Sequence, residues 1–130
     1  MKKIFQLAVV LMAFVPAICF GQSDKKVWAE LKTFHLLMSA SYHPVEESNY
    51  APLRTNAEQL YRAAKRWQQS EIPSNYRTAE TKAALKNLHI KCAALYKAVA
   101  ANKTDAELKM LITEAHDIFH NIEGECRRAD

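Results

Sequence analysis

Glycine is almost missing from this chain: Gly21 and Gly124 are its only two examples in 130 residues. Loops that cradle phosphate and the strained nucleophile elbow of hydrolases both need clustered glycines, so nucleotide chemistry and that type of hydrolysis have no foothold. Long apolar runs are equally scarce. One covers residues 4–20, and nothing after it approaches the roughly 20 apolar residues that span a bilayer. An excess of one charge sign is lacking too. Setting Lys2 and Lys3 aside lowers the formal charge of +4 by two, which argues against nucleic acid as a partner.

The early apolar run has the order of a secretory signal: Lys2 and Lys3 as the charged start, then the hydrophobic segment. Small side chains at Cys19 and Gly21 precede a cut ahead of Gln22. Lipid attachment at Cys19 would need a small residue before it, and Ile18 stands there. The expectation is a cleaved signal peptide over residues 1–21, a periplasmic or secreted protein, and a single domain over 22–130. A domain of that size forms one core but has little room for a deep substrate cleft, which favours binding over an enzyme.

Only Cys92 and Cys126 survive that cut, into a compartment where pairing is the first expectation. If the last two helices fold back about residue 103, the two cysteines sit roughly 18 Å apart along the bundle axis. A disulfide tolerates about 7 Å between Cα atoms. Cys92 therefore reads as a small core residue, and Cys126 meets it only if the chain turns back after Gly124.

What the chain has in quantity is helical periodicity. Apolar residues recur at spacings of three and four in four segments: Val27, Leu31, Phe34, Met38; Leu53, Ala57, Leu60, Ala64, Trp67; Leu85, Leu88, Cys92, Leu95, Val99; and Leu108, Ile112, Ala115, Phe119, Ile122. Pro44 and Pro52 read as the brackets of the first turn, and Pro73 ends the second helix. Thr104 with Glu107 forms a capping box, and Gly124 caps the C-terminus. The reading is all-α: helices over 24–42, 51–70, 77–102 and 105–123 in an up-and-down antiparallel four-helix bundle.

Five histidines remain, His35, His43, His89, His116 and His120. His116 and His120 are spaced i, i+4, which sets two imidazoles one above the other where one metal ion can take both. On a helical wheel both lie at the edge of the apolar stripe of helix 4, and His35 is displaced in the same sense on helix 1. The three are expected to meet between helices 1 and 4, with His35 opposite Ile112, about one turn from His116. His43 and Glu46, where the chain turns, are candidate further ligands, about 18 Å away if the helix ends are level. His89 is expected to face helix 2 near Tyr61, outside the site. Met38 falls in the helix 1 stripe as a core residue or a thioether ligand.

The segment His116-Asp117-Ile118-Phe119, near the end of a fourth helix, resembles the C-terminal end of cytochromes c-prime. Ile112 and Ala115 stand where that family has its two haem-linking cysteines, so covalent haem is excluded. The plan of an exported four-helix bundle is also similar to b-type four-helix cytochromes. That resemblance implies a haem b held by Met38 and His116. The histidines point first to a zinc or copper ion bound by His35, His116 and His120, with His43 or Glu46 completing the sphere. Haem binding in electron transfer or gas binding is the alternative, and a metal-free helical interaction module the third reading. A homodimer is among the partners the sequence allows.

Overall fold

The computed structural model describes residues 27–129. Four helices follow in order: α1 (Ala29–Glu46), α2 (Ala51–Gln69), α3 (Thr78–Ala100) and α4 (Asp105–Glu123). Each packs against its successor, and α4 returns to α1 in a lighter contact. Short loops make neighbours antiparallel, so this is the up-and-down bundle read from the periodicity. Among the described residues the only β pairing is an isolated bridge, Tyr76 with Arg127. None of these helices is long and apolar enough to cross a membrane. The secretory signal expected over residues 1–21 lies outside the described residues.

Three helices begin and end within two residues of expectation. α1 differs: residues 27 and 28, expected within it, are not helical, and it ends four residues later than residue 42; the expected start at residue 24 lies outside the described residues. Pro44 is not the bracket of a turn but sits inside the last helical turn. Near a helix end its missing N–H and ring clash disturb only a last bond, and Val45, 1% exposed, holds the extra turn against the core. The Pro44 carbonyl accepts from the Glu47 and Asn49 amides at 3.1 and 2.8 Å, and Ser48 turns the chain at φ 61°. At the other end Val27 is 64% exposed instead of lying in the seam. Trp28 takes its place, edge-on to Trp67 at 5.5 Å and to Tyr76 at 4.9 Å, its indole N–H donating to Ser70 Oγ at 2.9 Å.

The core is aromatic at its centre. Phe34, Trp67 and Phe119 meet with ring centroids 5.4 to 6.1 Å apart. Each such buried side chain contributes about 1.5–3 kcal/mol by leaving water. α4 starts at the capping box, where Thr104 Oγ1 accepts from the Glu107 amide and the Glu107 carboxylate accepts from the Thr104 amide. That exchange holds the Glu107 carboxyl below its ordinary range, the backbone hydrogen bond being the main cause. Gly124 closes α4 without a left-handed φ.

After Gly124 the chain does turn back. The Arg77 amide donates to the Cys126 carbonyl at 2.8 Å and the Arg128 amide to Asn75 at 2.8 Å, fastening the tail to the α2–α3 loop. Cys126 is buried there, and it and Cys92 are both free thiols. Burial pushes the Cys92 thiol up to about 12.

Candidate metal site on the α1–α4 seam

Helical spacing puts His116 and His120 on the same side of α4, and the buried Phe119 between them fixes how far that side rotates from the core. Their rings stand nearly perpendicular, at 85° with centroids 4.4 Å apart, and the two Nε2 atoms are 3.1 Å apart. The two nitrogens are thus within hydrogen-bond distance of each other. An ion at the usual ~2.0–2.1 Å from both would see them at about 95–100°, between a right angle and a tetrahedral angle. That is an angle a single ion can accept from two imidazole nitrogens.

His116 is held in place by α1. Its ring lies on that of Tyr42 with centroids 3.8 Å apart and planes 11° apart, and Asp117 Oδ1 stands 3.9 Å from its Nδ1. Partial burial lowers the His116 pKa below its ordinary value, and the neighbouring His120 charge lowers it further; Asp117 offsets part of this. The result is a neutral imidazole at neutral pH, the form that binds metal.

The other sequence candidates fall on the same seam at different places. His35 is exposed and its ring lies 5.2 Å from that of Phe119. It thus stands opposite Phe119 and not Ile112, a slide of about two helical turns along α4. The slide follows from the later placing of α1, and the same displacement brings the end of α1 to the pair. Tyr42 reaches His116, and the adjacent His43 and nearby Glu46 come close enough for their charges to act on it. The expected separation of about 18 Å assumed level ends. His43 Nδ1 and Glu46 Oε2 are 3.1 Å apart, both side chains exposed, so each is engaged with the other. Among the described residues no three His, Cys, Asp or Glu side chains gather closely enough to hold one ion. Met38 is 1% exposed inside the core, whereas His116 stands at the core's edge.

His89 faces α2 as expected, stacked on Tyr61 at 5.3 Å with its Nδ1 2.7 Å from Gln68 Oε1. Tyr42 is the residue that sequence reasoning missed. Its signal was its position seven residues after His35, on the same flank of α1.

Charge is segregated across the bundle. α4 carries Asp105, Glu107, Glu114, Asp117 and Glu123 against Lys109, whereas α2 and α3 carry Arg54, Arg62, Lys65, Arg66, Lys82, Lys86, Lys91 and Lys97 against Glu58 and Glu80. Two ion pairs join the halves, Arg54 with Asp105 and Lys91 with Glu114. The histidine pair sits on the acidic half, which draws cations. Compared with protein-family models, curated proteins and solved structures, the chain matches none.

Proposed function

We propose that this protein, exported to the periplasm or the cell exterior, binds a zinc or copper ion through Nε2 of His116 and Nε2 of His120. The observation that carries the reading is the 3.1 Å separation of those nitrogens on one helix face. Three further features support it: the Tyr42 ring fixes the His116 plane, the lowered His116 pKa keeps that imidazole neutral, and the carboxylates of α4 attract a cation. Imidazole pairs suit zinc and copper alike, so the choice between them rests with supply in the compartment. The role is binding and not turnover.

The direct experiment is a calorimetric titration of the chain from Gln22 onward with zinc chloride and copper sulfate. Binding should raise the melting temperature, because an ion at a hundredfold excess over its Kd stabilises the fold by about 2.7 kcal/mol. An unchanged midpoint with both ions refutes the reading.

A further inference from the structure

The site just proposed is half of a coordination sphere. Zinc is almost always held by four ligands in a closed site, and α4 gathers two. The candidates on α1 to complete it, His43 and Glu46, are engaged with each other at 3.1 Å. The open side of the pair faces outward, since His120 and Asp117 are both exposed.

What can occupy that open side is limited by charge. Asp105 and Glu114 of α4 are paired with Arg54 and Lys91, which leaves Asp117 and Glu123 as the carboxylates beside the histidine pair near the end of the helix. Two such helices repel each other within a screening length of about 10 Å, so metal-free copies have no reason to meet there. A divalent cation placed between them reverses the sign of that interaction. Each copy offers the same two nitrogens 3.1 Å apart, and an ion taken by one pair has room in a four-ligand sphere for the other. A twofold contact uses one patch on both partners, which this patch satisfies.

Resting on the metal reading above, we infer that two copies of the chain share one zinc or copper ion between their α4 helices, each supplying Nε2 of His116 and His120 across a twofold axis. The ion is then the joint of the dimer, and dimerisation reports metal supply.

Sedimentation velocity combined with metal analysis tests this on the chain from Gln22 onward, which contains all four helices, first with zinc chloride and then with EDTA added. The expected result is a zinc-driven dimer holding one ion per two chains that returns to monomer in EDTA. His120→Ala should abolish both the dimer and the zinc; this side chain is exposed, and a circular dichroism spectrum checks that the variant is folded. His43→Ala should leave the dimer intact. A monomer with one zinc per chain, lost in His43→Ala, would overturn the shared ion while keeping the metal site. No zinc bound at all would overturn the site itself, and a dimer that survives EDTA would show that the contact is not the metal's.

Discussion

The ring of His116 lies on the phenol of Tyr42 at a centroid distance of 3.8 Å, an α4 side chain oriented by an α1 side chain that makes no claim on a metal itself. The stack spans the lightest helix contact in the bundle, so it does two things there: it closes the α1–α4 seam and it sets the direction of one ligand nitrogen. Tyr42→Phe should keep both functions. Tyr42→Ala should lower stability by about 0.5–1.5 kcal/mol beyond the lost buried area and weaken zinc binding, because the His116 ring then rotates. Urea titration and calorimetry of the two variants separate the effects; equal zinc affinity in both would remove Tyr42 from the site.

Stability of the metal-free fold should fall in mild acid. The His116 pKa is lowered in the folded chain, so the unfolded chain binds that proton more tightly. The contribution is fully present above the ordinary histidine value of about 6.5 and is lost as pH falls below it toward the folded value. Metal affinity drops over the same range, because imidazole must be neutral to bind. Thermal melts with EDTA at about pH 7.5 and about pH 5.5 should show a smaller loss for His116→Ala than for the natural sequence. An equal loss would assign the pH dependence to other groups.

His89 serves as the internal control. It is stacked on Tyr61 and bonded to Gln68 on the α2–α3 side, across the bundle from the pair. His89→Ala should cost about 0.5–1.5 kcal/mol, the usual net worth of a hydrogen bond, with zinc affinity unchanged. Loss of zinc binding in this variant would move the site to the other seam.

The two thiols should be silent until the protein unfolds. Cys92 is buried with its pKa pushed up to about 12, and Cys126 is 3% exposed with its thiol 3.6 Å from Asn121 Oδ1. Thiolate is the reactive form, so an aromatic disulfide reagent at about pH 8 should label neither side chain in the native protein and both in denaturant. Rapid native labelling at Cys126 alone would mean that the tail opens on its own.

The fold was readable because the signals for it are local. Three- and four-residue spacing of Leu, Ile, Phe and Trp marks a buried stripe, and Thr104 with Glu107 announces a helix start whatever surrounds it. The ends of α1 were misread where a local rule yielded to packing: Pro44 looks like a stop, but burial of Val45 outweighs one disturbed bond. The i, i+4 pair was equally local and stands where its spacing put it. The register of α1 against α4 was not local. It depends on Phe34 meeting Phe119 and Tyr42 meeting His116, contacts between segments far apart in sequence, and with that register went the true neighbours of His35 and His43. Spacing within α1 puts Tyr42 on the flank of His35, but only the register against α4 makes it the partner of His116.

The tail that fastens Cys126 and Arg128 to the α2–α3 loop also has a place in time. A chain is made and passed onward from its N-terminus, so residues 75–77 wait for a partner throughout the synthesis of α3 and α4. Until residues 126–128 arrive, the loop has two unanswered backbone groups and Tyr76 lacks its strand-like neighbour. Residues 126–128 therefore act as a latch that shuts only after α4 has been made, and a chain cut short after α4 has its helices without that latch.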